Sequence, residues 1–157
     1  MLWTARPPQQ HPLLRHLGIE PLSRELDGRR LHVLARACRM RIKPFLMDGR
    51  RIVGVGNIYA SESLFLAGID PRKAAGRLSA ADCARLAAAI KRTLRAAIRA
   101  GGSSLRDFVG SDGRAGHFQR RAWVYDRAGH RCRRCGEVIR RIVQGQRATY
   151  YCPGCQR

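Results

Sequence analysis

The chain has 157 residues, of which 45% are hydrophobic, enough for one ordinary domain or two small ones with a core. Its 31 basic residues outnumber 11 acidic ones, which gives a formal net charge of +20. Such a charge favours nucleic acid as the partner, although a ribosome, an anionic membrane surface or an acidic protein remain alternatives. No apolar run approaches the ~18 residues of a membrane span, and no export signal is visible. We therefore expect a cytoplasmic or nucleoid-associated protein.

The first part of the chain is predicted to be helical. Residues 1–11 are polar and contain prolines, which is typical of a linker. A helix is predicted to start at Pro12, and another is predicted over residues 23–37, where leucines form an interrupted apolar face. A short helix is predicted over residues 42–47.

A glycine-rich turn at residues 54–57 opens the next predicted helix. This helix covers residues 58–67 and is stopped by Gly68, with a proline lying beyond it. Ser79 and Asp82 then have the spacing of a capping box. They begin the clearest helix of the chain, which is predicted to end at the glycine pair 101–102. Its apolar stripe consists of Leu86, Ile90, Leu94 and Ile98.

The composition changes after this helix. Residues 101–121 are rich in glycine, serine and aspartate, which predicts a loop with at most one helical turn near residues 105–108. Short β-type runs follow at residues 122–125, 138–143 and 147–151. The predicted fold is a mainly α-helical bundle followed by a small β-hairpin unit built on cysteines. The predicted boundaries are 1–11 for the linker, 12–110 for the helical domain, 111–121 for the connection and 122–157 for the cysteine unit.

Four cysteines predict a metal site. Two CxxC pairs are separated by sixteen residues: Cys132 with Cys135, and Cys152 with Cys155. Two such knuckles can close a tetrahedron around one Zn²⁺, and four thiolates leave no position for a catalytic water, so the zinc is expected to be structural. A Cys₃His site that uses His130 is the alternative. Cys38 and Cys83 have no partner at suitable spacing and are predicted to be buried apolar residues.

Two further features favour phosphate binding. Asn57 stands at a predicted helix start behind glycines that permit close backbone approach, where N–H groups and the helix dipole attract anions. The alternative is that Asn57 only caps an ordinary helix. Arg147 lies on the predicted zinc hairpin, where its planar guanidinium suits a phosphate. Its alternative is a solvated surface arginine.

Four segments of the chain resemble the C-terminal half of the formamidopyrimidine-DNA glycosylase family. They occur in the order and spacing of that family. The segments are IKPFLMD at 42–48, VGVGNIYASES at 53–63, SDG at 111–113 and QRATYYCPGCQ at 146–156. The resemblance implies a helix–two-turn–helix module and a zinc-stabilised hairpin finger that together hold damaged DNA while an oxidised purine is flipped out.

The resemblance also implies roles for individual residues. Asn57 would bind phosphates at the lesion, with Gly56 beside it and Lys43 on the same DNA-facing side. Arg147 would hold a phosphate next to the flipped nucleotide and, as in the family, donate the proton of the second elimination step. Tyr125 would contact the DNA. Residues 111–118 would correspond to the loop that covers the lesion.

Departures from the family pattern limit what the resemblance implies. Family members begin with a proline whose amine forms an imine with the sugar, and they carry a β-sandwich domain; this sequence starts with Met1-Leu2 and shows neither. Asp126 also replaces a usual glycine after Tyr125, which makes the turn there uncertain. We therefore expect no glycosylase or lyase activity from this chain alone.

Three functions are compatible with this sequence. The first is the DNA-clamping half of an oxidised-purine DNA glycosylase and apurinic-site lyase of base-excision repair. It would act as a monomer on double-stranded DNA with an oxidised purine or abasic site, with an N-terminal half that could be encoded separately. The second is a non-catalytic module that binds abasic or gapped DNA. The third is a basic zinc-ribbon protein that binds RNA.

Overall fold

A computed structural model describes residues 16–102 and 118–157 of the chain. Within these ranges, four α-helices are followed by a two-stranded antiparallel sheet, with short 3₁₀ helices at Ala75–Arg77 and Phe118–Arg121. The helices are α1 (Gly28–Ala35), α2 (Ile42–Met47), α3 (Asn57–Ala67) and α4 (Ala80–Arg99), and the strands are β1 (Arg140–Gln144) and β2 (Arg147–Tyr151). This order confirms the predicted helical bundle with a terminal β-hairpin. The predicted linker, the helix start at Pro12 and the turn near residues 105–108 lie outside the described residues.

Helix α1 is shorter than the helix predicted over residues 23–37. It begins at Gly28 because the Asp27 carboxylate caps it, accepting a hydrogen bond from the Arg30 N–H at 2.7 Å. It ends at Ala35, and Ala37 adopts a left-handed φ of 59° that no helix can continue through. The apolar periodicity extended beyond the helix at its N-terminal end because Leu26 is buried in the core from the preceding turn.

Helix α4 has the predicted capping box. The Ser79 hydroxyl accepts a hydrogen bond from the Asp82 N–H, and the Asp82 carboxylate accepts one from the Ser79 N–H. Leu86, Ile90 and Leu94 are buried, as predicted, but Ile98 is 64% exposed. Each four-residue step advances about 40° around a helix, so three steps carry Ile98 about 120° away from Leu86 and out of the core.

Helix α3 lies at the centre of the molecule, since it packs against α2, α4 and β2. Eight of its eleven residues are buried, which leaves this helix without the polar face of a surface helix. Gly68 ends it in the left-handed conformation, with φ of 72°, as its position predicted. Helix α3 can therefore carry side chains to the cysteine-containing part of the chain as well as to the helical core.

The cysteine unit over residues 122–157, called the finger below, contains a β-hairpin. The turn of this hairpin consists of Gly145 and Gln146, both with positive φ. This is the backbone pattern that matches the twist of a two-residue hairpin. The predicted strand over residues 147–151 is confirmed, whereas the one over 138–143 is displaced to Arg140–Gln144. The strand predicted over residues 122–125 is wrong, because the N–H groups of residues 123–125 all turn towards one buried carboxylate. No helix in the described ranges is long and apolar enough to span a membrane.

Candidate nucleic-acid interface

A buried lysine joins the helical part to the finger. Lys43, on α2, is only 1% exposed, and its ammonium donates three hydrogen bonds. The acceptors are Asn57 Oδ1 at 2.6 Å, the Ala148 carbonyl at 2.9 Å and Thr149 Oγ1 at 2.7 Å. Burial, and after it the charge of Arg147, lowers the pKa of Lys43 from 10.5 to about 8. Lys43 thus holds α2, the start of α3 and strand β2 at fixed distances from one another.

Asn57 is the first residue of α3 rather than its cap. Gly56 occupies the N-cap position, and no side chain caps the helix. The alternative that Asn57 is only an N-cap is therefore wrong. Because its Oδ1 accepts from Lys43, the amide is oriented with its nitrogen as the remaining donor. The uncapped first turn adds N–H groups and the positive end of the helix dipole.

Asn57, Arg147 and Tyr125 line one groove of about 320 Å³. Its remaining wall is largely apolar and includes Met47, Val55 and Ile58. Arg147 is exposed at the start of β2, directly after the hairpin turn, and also borders a second groove beside Lys43. The structure thus brings together the predicted residues Asn57, Gly56, Tyr125 and Arg147. Lys43 lies beneath them instead of facing solvent, and the DNA contacts of all five residues stay predictions.

The turn after Tyr125 forms although a glycine is replaced there. Asp126 itself adopts a left-handed φ of 57°, a conformation that aspartate tolerates better than most residues. Its carboxylate accepts a hydrogen bond from the Tyr150 hydroxyl at 3.3 Å. The Tyr125 and Tyr150 rings meet edge to face at 5.1 Å between centroids. Tyr125 therefore contacts the hairpin through Tyr150 and also lines the groove.

The four predicted ligands form one cluster. The sulfurs of Cys132, Cys135, Cys152 and Cys155 all lie within 4.8 Å of one another, and His130 is not among them. The Cys132–Cys155 and Cys135–Cys152 sulfur distances are 3.9 and 3.4 Å, far beyond the ~2.05 Å of a disulfide. A tetrahedron with Zn–S bonds of about 2.3 Å has sulfur–sulfur edges of about 3.8 Å. The thiolates therefore fit one structural Zn²⁺.

The other two cysteines take no part in this cluster. Cys83 is fully buried in α4, as predicted for a small apolar residue, and burial raises its thiol pKa to about 11. Cys38 is only partly buried and packs at the edge of the same core.

The finger packs directly on α3. Phe65 of α3 stacks on Trp123 with a centroid distance of 5.7 Å, and the Arg134 guanidinium lies over Phe65 at 4.6 Å. Gln156 is 2% exposed and bridges the finger to the end of α3: it accepts from the Cys152 N–H and donates to the Ile69 carbonyl, both at 2.9 Å. The metal cluster is therefore anchored to the helix that carries Asn57.

Glu62 is the residue that sequence reasoning missed. It is 1% exposed on α3, and its carboxylate accepts hydrogen bonds from three consecutive N–H groups, those of residues 123–125. Burial raises the pKa of Glu62, while these bonds and the charge of Arg127 oppose that shift. The only available signal was a glutamate in a helix that is otherwise buried, since a buried carboxylate requires several donors.

Comparison with known proteins gives the family. The model described as "Formamidopyrimidine-DNA glycosylase H2TH domain" matches residues 17–109, and the "Zinc finger found in FPG and IleRS" matches residues 129–157. The chain belongs to the formamidopyrimidine-DNA glycosylase family. It contains the helix–two-turn–helix and zinc-finger domains of that family, which confirms the resemblance seen in the sequence and the single structural zinc.

The curated relatives are longer than this chain. It is 59% identical to a formamidopyrimidine-DNA glycosylase of Bordetella pertussis over 161 residues, and 56% identical to one of Pseudomonas paraeruginosa over 157 residues. Each alignment covers 100% of this chain and 58% of the relative. The chain thus spans less than two thirds of the length of these relatives.

Solved structures of the family have the same fold. The Thermus thermophilus protein superposes with a TM-score of 0.85 at 39% identity, covering 92% of this chain and 55% of that one. A Lactococcus lactis protein in complex with DNA containing an abasic site gives 0.83 at 36% identity, covering 92% and 53%. These structures share the helical part and the finger with the chain described above.

Proposed function

We propose that this chain binds damaged DNA in base-excision repair, as the DNA-clamping part of a glycosylase that acts on oxidised purines and abasic sites. One observation carries the proposal. The Asn57 amide, oriented by the buried Lys43, shares a groove with Arg147 and with the Tyr125 ring. The groove therefore combines donors for a phosphate with apolar side chains that a displaced nucleotide can contact.

The donors in the groove suit a distorted DNA backbone. The Asn57 amide nitrogen and the uncapped first turn of α3 supply neutral donors, and Arg147 supplies a charged planar fork. Arg147 follows a two-residue turn whose strands are paired through five registered positions. The backbone that carries Arg147 is therefore already ordered, and binding of its guanidinium costs mainly the rotamer freedom of one side chain.

The net charge and the groove have separate consequences. A net charge of +20 attracts any DNA through its phosphates and gives no preference for damage. Preference requires a structure that only a displaced or missing base allows, and the apolar wall formed by Met47, Val55, Ile58 and Tyr125 fits that requirement. We also propose, from the family resemblance, that Arg147 donates the proton of the second elimination step when the strand is cut.

Binding to matched duplexes tests this proposal. The zinc-loaded chain is titrated at fixed salt with one duplex that contains a tetrahydrofuran abasic analogue and with the same duplex intact. We expect the abasic duplex to bind at least about tenfold more tightly. Asn57→Ala or Arg147→Ala should reduce this ratio by about tenfold, because each removes a contact to a phosphate that reaches the groove only when the backbone is distorted at the damaged site. Arg140→Ala removes an exposed arginine of the neighbouring strand and should keep the wild-type ratio.

Two results would contradict the proposal. Equal affinity of the wild-type chain for both duplexes would remove the evidence for damage recognition. Tighter binding to a structured RNA of equal length than to the abasic duplex would favour an RNA-binding protein instead.

A further inference from the structure

The buried carboxylate of Glu62 connects α3 to the segment that carries Tyr125. Its Oε2 accepts from the Trp123 N–H at 2.8 Å, and its Oε1 accepts from the Val124 and Tyr125 N–H groups, both at 2.9 Å. Three consecutive N–H groups can converge on one carboxylate only when the backbone curves around it, because the N–H groups of a strand alternate in direction. The bonds to Glu62 thus account for the curvature of residues 123–125 and for the absence of a paired strand there.

This curvature decides where Tyr125 lies. Tyr125 is the third of the three bonded residues, and it lines the groove that Asn57 also lines. Its ring contacts Tyr150 of β2. Asn57 and Glu62 belong to the same helix, five residues apart. One rigid element therefore positions both the amide donor and, through the carboxylate, the aromatic side of the groove.

The cysteine ligands are not themselves the residues that bond to Glu62. Residues 123–125 precede the first ligand, Cys132, and the Trp123 carbonyl is held by a bond from Arg127 at 2.7 Å. The Trp123 ring stacks on Phe65 of α3. Tyr125 also lies in a turn closed by the Arg127 N–H and the Val124 carbonyl at 3.1 Å. Among these contacts, the bond to Glu62 is the one that ties the Tyr125 backbone to α3.

We infer that Glu62 is a positioning residue for lesion recognition, which acts by holding the Tyr125 backbone so that its ring forms one side of the damage-binding groove. The inference rests on the proposed function for its biological meaning. The structural part, that the carboxylate orders residues 123–125, can be tested without any DNA.

The test uses Glu62→Gln in the zinc-loaded full chain, with Glu25→Gln, an exposed glutamate, as the matched control. Glutamine keeps an acceptor for two of the N–H groups but directs its own NH₂ at the third, so one amide loses its partner. We expect about one equivalent of zinc and a cooperative thermal transition in both variants. In Glu62→Gln, amide hydrogen exchange within residues 123–125 should be at least about tenfold faster than in the wild type, as one lost charge-assisted bond predicts.

DNA binding supplies the readout that a merely structural role would not change. The abasic-to-intact affinity ratio should fall about tenfold in Glu62→Gln and stay at the wild-type value in Glu25→Gln. If the carboxylate acts through the tyrosine, Glu62→Gln should cause no further loss in a chain that already carries Tyr125→Leu, because the two changes then remove the same contact.

Each outcome separates this inference from the proposed function. Wild-type preference that survives Glu62→Gln, or losses that add in the double variant, would overturn the positioning role and leave the proposed function standing. A wild-type chain without abasic preference would refute the proposed function, and unchanged exchange at residues 123–125 would then also refute the positioning role. Loss of zinc or of the cooperative transition in Glu62→Gln would assign the carboxylate to folding and overturn the inference.

Discussion

Replacing Lys43 with methionine is the most direct test of the connection between the helices and the finger. Methionine has a similar length and fills the same space, but it cannot donate hydrogen bonds. Lys43→Met would leave Asn57 Oδ1, the Ala148 carbonyl and Thr149 Oγ1 without their common donor. Since these acceptors belong to α3 and β2, the change should affect both the stability of the fold and the order of the groove.

The expected loss of stability is the balance of two contributions. Hydrogen bonds from a charged donor contribute about 1.5–3 kcal/mol each, and three are lost. Removing the ammonium also removes its desolvation cost. The lowering of the Lys43 pKa to about 8 means that burial, together with the charge of Arg147, disfavours the ammonium by roughly 3 kcal/mol. A net destabilisation of roughly 2–6 kcal/mol follows, which for a chain of this size lowers the melting temperature by roughly 5–25 °C.

Thermal melting and DNA titration check this expectation together. Lys91→Met, which makes the same chemical change at a partly exposed position of α4, is the matched control and should melt within about 2 °C of the wild type. Lys43→Met should also lose the preference for abasic DNA, because nothing then orients the Asn57 amide. A variant that melts like the control and keeps its preference would show that Lys43 does not connect the two parts.

The lowered pKa of Lys43 predicts a pH effect. Between pH 8 and 10.5 the folded chain binds fewer protons than the unfolded chain, so the free energy of unfolding should rise with pH across this window. Denaturant melts of the wild type and of Lys43→Met measure this rise, which is expected in the wild type relative to the variant. A slope that is equal in both chains would refute this assignment. Chelation of zinc should unfold the finger and abolish abasic preference, because the small hairpin depends on the metal for its folding free energy; circular dichroism and titration before and after chelation measure this. Ala37→Gly should raise the free energy of unfolding by about 0.5–1 kcal/mol. Ala37 adopts a left-handed φ of 59°, which costs an alanine about 1–2 kcal/mol. The greater conformational entropy of glycine in the unfolded chain offsets part of this gain. A loss of stability in the melt of Ala37→Gly would contradict this reasoning.

Local signals in the sequence predicted the parts of the fold that depend on neighbouring residues. The capping box at Ser79 and Asp82, the stop at Gly68 and the paired CxxC knuckles all act within a few residues, so their spacing is sufficient evidence. The hairpin turn and the second strand follow from the same short-range pattern.

Predictions failed where a distant residue competes with the local pattern. The run at residues 122–125 has β propensity, but its N–H groups bond to Glu62, about sixty residues earlier in the chain. The place of Lys43 was equally hidden, because two of its acceptors lie more than a hundred residues away. Ile98 shows a different error: a spacing of four resembles a helical stripe over two turns and departs from it over four.

The attachment of the finger to α3 determines what can be transplanted. Phe65 contributes its ring to the same apolar cluster as Cys132, Cys152 and Tyr150. A finger excised from this chain would therefore expose the surface that Phe65 of α3 normally covers. Fusing the finger to a foreign scaffold would require a substitute for α3. Although the helical domain and the finger are matched by separate family models, the finger is not separable from α3, which itself packs against α2 and α4.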